Sequence, residues 1–212
     1  MEKPSINYLL ELRLSGSARK YVEDTAFDVA SKFDVNGVTR KRVVPHVTVV
    51  GPIKTIHEKQ LIHEMIQICM KYDLMTIRFC GFSSFGNWLL GKRVIGVKIE
   101  PSNELESLRL ELVKRFAGFC ELYKFDTRKW EPHSTIAFKD IDKKFGRIKK
   151  YLETRSCPKI KHYVLRVTLL RNGKILCEYD FLQHRALNRD EAFNREIKKT
   201  TLILLKRRLG IR

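Results

Sequence analysis

Apolar positions along the chain switch repeatedly between a strand-like and a helical period. Residues 5–13 (SINYLLELR) have the density of a β-strand, and Val22, Ala26, Val29, Ala30 and Phe33 then fall at helical spacing, which predicts a helix over 17–33. After a polar loop at Asn36-Gly37, Val43–Gly51 is a β-rich run around Pro45-His46-Val47-Thr48. Thr55 and Glu58 match a capping box that opens the next helix, with Ile62, Met65, Ile66 and Cys69 as its apolar stripe. Thr76–Ser83 reads as a strand.

The same order then returns. Val94–Glu100 alternates Ile95, Val97 and Ile99 as a strand does, and Asn103 with Glu106 can cap a helix carrying Leu105, Leu108, Leu112, Phe116 and Phe119. Pro132–Phe138 is a second short run around Pro-His-x-Thr, and a helix over 141–153 carries Ile141, Phe145, Ile148 and Leu152. Strands at about 161–170 and 174–183 flank Asn172-Gly173, a strong hairpin signal. The helix before each Pro-His-x-Thr run starts about 30 residues upstream of its histidine in both halves, within the few residues to which such boundaries can be set.

Strand, helix, PHxT strand, helix, strand thus occurs twice. This predicts an α+β protein with a duplicated bilobal fold: two mostly antiparallel sheets, helices on the outer faces and a central cleft. Residues 1–185 form one bilobal domain of two interleaved repeats, about 5–85 and 92–185, and residues 186–212 a basic helical tail. A doubly wound parallel sheet would show the same alternation, but the Asn-Gly hairpin and the lack of a Gly-rich phosphate loop weigh against it.

Composition narrows the classes. Hydrophobic residues at 43% and charged residues at 31% of 212 residues are ordinary for a globular protein and exclude disordered, collagen-like and coiled-coil chains. No apolar run approaches the roughly 18 residues of a membrane span, and the N-terminal residues lack a signal-peptide core. Five scattered cysteines without CxxC spacing exclude a zinc ribbon and suit a reducing, cytoplasmic setting. The net charge of +18 attracts polyanions, chiefly nucleic acid or an anionic membrane surface, where it is not simply a solvated basic surface. Asn188–Arg212 holds eight basic and three acidic residues around Leu202, Ile203, Leu204, Leu205 and Leu209, a helix either packed on a lobe or held out as a basic arm.

The chemistry concentrates in the two tetrapeptides. The chain has six histidines and six prolines, yet Pro-His-x-Thr appears at both Pro45–Val49 (PHVTV) and Pro132–Ile136 (PHSTI). Strand alternation puts His46 with Thr48, and His133 with Thr135, on one face, while Val47, Val49, Ile136 and Phe138 face the helices. Two lobes facing each other across a pseudo-twofold then place two imidazoles and two hydroxyls in one groove. Paired imidazoles can serve as general base and general acid, and hydroxyls can hold phosphate oxygens. Among the other histidines, His57 and His63 fall on different helix faces, and His63-Glu64 lacks the second histidine of HExxH. His162 and His184 are isolated in strands.

These motifs, one per half of a duplicated α+β chain, resemble those of the two-histidine phosphoesterase superfamily, which includes RNA 2′,3′-cyclic phosphodiesterases and the 2′-5′ RNA ligase family. The resemblance covers roughly residues 5–185, and PHVTVVGP is particularly similar to the family's first motif. It implies a cleft that needs no metal or other cofactor, with His46 and His133 catalytic and Thr48 and Thr135 binding the substrate phosphate. The implied reaction is hydrolysis of a 2′,3′-cyclic phosphate on RNA or a nucleotide, with one histidine as base and the other as acid. The symmetric sequence does not assign them, and His133 as base with His46 as acid is the order taken. Ligation or cleavage of 2′-5′ linkages is the near alternative, and nucleotide or RNA binding without turnover the alternative from another class. The chain departs from the family where an arginine commonly follows the second motif: Phe138 stands there, with Lys139 next. Lys139, Arg42 or Lys41 can supply the missing cation, and Trp130, three residues before His133, is a candidate base-stacking surface. Trp88, Phe82 and Phe85 are further aromatic candidates, and Arg128 and Lys129 further basic ones. A monomer is expected.

Overall fold

The computed structural model describes residues 7–40, 43–87, 92–123, 126 and 129–211. In chain order the elements are β1 (Asn7–Arg13), α1 (Gly16–Phe33), β2 (His46–Lys54), α2 (Glu58–Cys69), β3 (Met75–Asn87), β4 (Lys92–Pro101), α3 (Asn103–Phe116) and β5 (Glu121–Leu122). They continue with β6 (His133–Phe138), α4 (Phe145–Glu153), β7 (Lys161–Val164), β8 (Arg166–Arg171), β9 (Lys174–Asp180), β10 (Arg185–Asn188), α5 (Arg189–Phe193) and α6 (Arg195–Arg208). The first strand and helix, and both PHxT strands, fall where the hydrophobic period puts them.

The strands form two sheets, one ordered β10-β9-β8-β1-β2-β5 and the other β6-β4-β3-β7. Every pairing between them is antiparallel. Each sheet draws on both halves of the sequence. The first half supplies β1 and β2 to the larger sheet but sends β3 to the smaller one. The second half supplies β4 and β6 to the smaller sheet but sends β8 back to pair with β1. The switch is made within the run 161–170, which breaks at Leu165 into β7, beside β3, and β8, beside β1. Helices exchange in the same way. From the first half, α1 packs on β6 of the smaller sheet, and from the second, α3 packs on β2 of the larger. One continuous core results, running from Leu10, Val47 and Val49 through Leu61, Met65 and Leu108 to Ile95, Val97 and Ile136.

Two expected caps are absent. Ser102, not Asn103, is the N-cap of α3, and His57 is the N-cap of α2, neither with a side-chain cap bond. Thr55 Oγ1 instead accepts from the His57 amide at 3.0 Å and donates to the Phe119 carbonyl at 3.2 Å, tying the α2 entry to the end of α3. The buried stripe of α2 is Leu61, Met65, Ile68 and Cys69, rotated from the expected one, with Ile62 and Ile66 at its edge. α4 starts at Phe145, with Ile141 buried in the turn before it. The hairpin signal is met: Asn172 and Gly173 have φ of 49° and 78°, the left-handed pair that a two-residue type I′ turn demands.

The chain after 185 begins as a strand, β10 beside β9, and only then turns helical. α5 opens with a full Asn188–Glu191 capping box. α6 is fastened by Thr201, whose hydroxyl donates to the fully buried Asp180 carboxylate at 2.6 Å. Arg166 completes that knot, donating to Asp180 at 2.8 Å and to Glu178 at 3.1 Å. The tail is therefore packed back on the larger sheet. Its outer side keeps Leu202 and Ile203 exposed. No described helix is long and apolar enough to cross a membrane.

Candidate active site

The two motif strands are built alike. From each histidine onward the burial sequence is half-buried, buried, half-buried, buried, buried, half-buried: His46 to Gly51 in β2, His133 to Phe138 in β6. The histidine and threonine of each motif share the open face, and Val47, Val49, Ser134 and Ile136 face the core. Both strands then bulge at the residue after the threonine. Pairing steps from Glu11↔Thr48 to Leu10↔Val50 around Val49, and from Gly96↔Thr135 to Ile95↔Ala137 around Ile136. An extra residue at a bulge re-aims the side chains beyond it. Consequently Ala137, not Phe138, enters the core, and Phe138 lines the cleft, contrary to simple alternation.

Bulges also leave carbonyls without ladder partners, and the protein supplies donors. Trp130 Nε1 donates to the Thr48 carbonyl at 3.1 Å, and Arg109 Nε donates to the Val49 carbonyl at 3.0 Å. The Arg109 guanidinium lies over the Trp130 ring, 5.4 Å from its centroid, and is itself buried beside Asp126 at 3.7 Å. Trp130 thus braces one motif strand from beside the other, half-buried against the core.

Both imidazoles are held by the same bond. Nδ1 of His46 lies 2.8 Å from the Val44 carbonyl, and Nδ1 of His133 lies 3.0 Å from the Glu131 carbonyl, each two residues upstream. A carbonyl only accepts, so Nδ1 carries the hydrogen in both rings, and Nε2 is the nitrogen left to gain or lose a proton. A cleft of about 480 Å³ is lined by His46 from the larger sheet and by Thr135 and Phe138 from the smaller one, together with Glu11 and Arg13.

The surroundings of the two rings differ. Opposite Thr48 stands Glu11, a buried carboxylate whose Oε2 is 3.9 Å from His46 Nε2 and whose Oε1 accepts from Arg13 Nε at 2.8 Å. Opposite Thr135 stands Gly96, where a Cβ would lie 2.8 Å from the Ser134 carbonyl oxygen and 3.2 Å from His133 Cδ2. His133 packs instead against Phe85, with ring centroids 4.4 Å apart. Burial lowers the His133 pKa from 6.5, chiefly by desolvating the charged ring, and the nearby His46 pushes the same way against the bond to the Glu131 carbonyl.

The remaining sequence candidates are distributed unevenly. Lys139 is exposed, its ammonium 5.6 Å from the Phe138 ring centroid, and it does not line the cleft. Lys41, Arg42, Trp88 and Arg128 lie outside the described residues. Two cations escaped the sequence analysis. Arg13 is directly across the ladder from His46, and Lys98 directly across from His133, so each shares its histidine's face. Their equivalence becomes visible only once β1 is paired with β2 and β4 with β6. Glu11 is missed for the same reason, because within its own strand it looks like any polar residue at an alternate position.

Comparison with known proteins agrees with this architecture. The family model of the 2′-5′ RNA ligase superfamily matches residues 16–175, and the chain belongs to that superfamily, the two-histidine phosphoesterases. Among solved structures, Usb1 of Kluyveromyces marxianus with uridine monophosphate superimposes with a TM-score of 0.50 at 11% identity, covering 81% of this chain and 96% of that one. Apo LigT of E. coli gives a TM-score of 0.44 at 15% identity, covering 88% and 94%. No curated protein sequence matches the chain.

Proposed function

We propose that the protein is a phosphodiesterase that hydrolyses 2′,3′-cyclic phosphate ends of RNA or nucleotides, with His46 and His133 as its acid–base pair. The observation that carries this reading is the matched tethering of both rings through Nδ1 to backbone carbonyls, with His46 lining a cleft that the second motif reaches through Thr135. Phosphate binding alone needs positive charge, but not two imidazoles oriented with Nε2 free.

The roles follow from the unequal surroundings. A neutral His133, favoured by its burial, takes a proton from water on Nε2 as the water oxygen bonds to phosphorus. The P–O bond to one ribose oxygen, opposite the incoming water, breaks in the same displacement. His46, with the Glu11 carboxylate as ion-pair partner for its proton, delivers that proton to the departing oxygen. The product is a phosphomonoester and a free ribose hydroxyl. Thr48 and Thr135 donate to the non-bridging oxygens, and Arg13 and Lys98 offset the phosphate charge.

The test is incubation of the full chain with RNA ending in a 2′,3′-cyclic phosphate, in chelator, followed by end-group analysis. Conversion to one phosphomonoester is expected. Unchanged ends, or 2′-5′ joined products, would overturn the reading.

A further inference from the structure

The smaller sheet offers more open face than the two-histidine cleft occupies. Along β4 the residues on the His133 side are Gly96, Lys98 and Glu100, because Gly96 is opposite Thr135 and Lys98 opposite His133. Two residues beyond Lys98, about 7 Å along the strand, Glu100 borders a second cleft of about 600 Å³, which Arg78, Cys80 and Gly81 of β3 and Lys159 of the loop before β7 also line. Lys98 links the two places: it lies directly across from His133, and its charge also acts on the Cys80 thiol inside the second cleft.

The chemistry of this cleft is that of a strand of phosphates and bases. Two cations, Arg78 and Lys159, line it with one carboxylate, Glu100, and Lys98 stands at the strand position between it and His133. Arg78 pairs with Glu100 at 3.2 Å, but both side chains are more than half exposed, so the pair holds Arg78 weakly and leaves it able to turn to a phosphate. The floor is roomy. β3 bulges between Phe79 and Phe82, and at Gly81 no atom lies within 4 Å of where a side chain would begin. The backbone at Gly81 is thus open to an approaching ligand.

We propose that this second cleft is a subsite for single-stranded RNA, taking the phosphate and base of the nucleotide next to the reacting end; its place in catalysis rests on the hydrolase reading above. Glu100, at the edge of this cleft, is two residues along β4 from Lys98, the residue across the ladder from His133. An oligonucleotide then bridges both clefts across Lys98, whereas a mononucleotide fills only the first.

The experiment measures dissociation constants of the full chain for a mixed-sequence RNA pentanucleotide with a 3′-phosphate and for a nucleoside 3′-monophosphate. Wild type is compared with Arg78→Glu/Lys159→Glu and with Lys159→Glu alone, which changes one exposed loop residue. Wild type is expected to bind the pentanucleotide at least about tenfold more tightly, and the double variant to lose that preference with mononucleotide affinity unchanged. The dependence of log affinity on log salt for the pentanucleotide should flatten by about 0.7 to 1 in the double variant, as the loss of one neutralised phosphate on a single strand requires. Lys159→Glu alone should give an intermediate result. A pentanucleotide preference that survives the double variant, or is missing in wild type, would overturn the subsite. If the preference depends on Arg78 and Lys159 but neither substrate bearing a cyclic phosphate is turned over, the subsite stands and the hydrolase reading fails.

Discussion

The two halves of the molecule share a backbone and differ in what they place around it. β2 and β6 begin at their histidines, bulge one residue after their threonines, and tether Nδ1 to the carbonyl two residues upstream. Across the ladder, however, the residue facing the threonine is Glu11 in one half and Gly96 in the other. A carboxylate therefore stands beside His46, while beside His133 the same place is empty of side chain and the ring stacks on Phe85. Duplication supplies a pair of equal imidazoles, but an acid–base reaction needs unequal ones. The difference in what surrounds them falls at one position on each inner strand.

The widest test of this comparison removes the shared part. His46→Ala and His133→Ala should each lower kcat/KM for a cyclic phosphodiester by about 10²–10⁴-fold, with the fold retained, since both rings are only half-buried on the open face of their strands. Steady-state rates in chelator check it, and a variant that keeps wild-type turnover would remove that histidine from the chemistry.

Gly96→Ala attacks the asymmetric position next. The new methyl would press on the Ser134 carbonyl at 2.8 Å and on the His133 ring at 3.2 Å, and the strand carbonyl cannot move without disturbing the ladder. A displaced ring should cost about 10²-fold in kcat. Glu11→Gln at the equivalent place keeps the shape and the acceptor for Arg13 and removes only charge. A charge pair near 4 Å is worth about 1 kcal/mol in water to about 4 kcal/mol at an effective dielectric of 20, so a fall in kcat of about tenfold is expected. Equal small effects from both substitutions would mean that the two positions do not divide the roles of the histidines.

Much of this was legible in the chain. Regular alternation and the repeat placed β2, β6, α1 and α3, and the Asn172-Gly173 turn is where its residues require it. The exchange of strands between sheets was not legible, because it turns on Leu165 breaking a run that reads as one strand. Nor was the orientation of Phe138, because a bulge changes the side-chain phase without changing composition. Thr55 and Asn103 carried cap patterns, but His57 and Ser102 occupy the caps. At the site, His46, His133, Thr48 and Thr135 stood out through repetition within local strings. Glu11, Arg13 and Lys98 matter through cross-strand neighbours more than 30 residues away, which no local pattern encodes.

The smallest expected effect concerns how His133 is kept apart from His46. Burial holds the His133 pKa below 6.5, and Phe85 supplies part of that burial by covering one face of the ring at 4.4 Å. As the base of the proposed reaction, His133 must be neutral, so kcat/KM should fall as pH drops through its pKa, and the acidic limb of the profile should lie below 6.5. Phe85→Ala admits water to the ring and relieves the desolvation of its charged form, so the pKa rises toward 6.5 and the limb moves to higher pH. Folding is linked with the same sign: below about 6.5 the unfolded chain takes up the proton more readily than the native one, so the native state loses stability as pH falls, and less so in the variant. Rates near pH 8 should change little, while rates near pH 6 should drop severalfold. Profiles from pH 5 to 9 on both proteins, with the same cyclic substrate, decide the matter. An acidic limb that stays in place in Phe85→Ala, or moves down, would show that His133 is not the base whose titration the limb reports, and the two histidines would have to exchange roles.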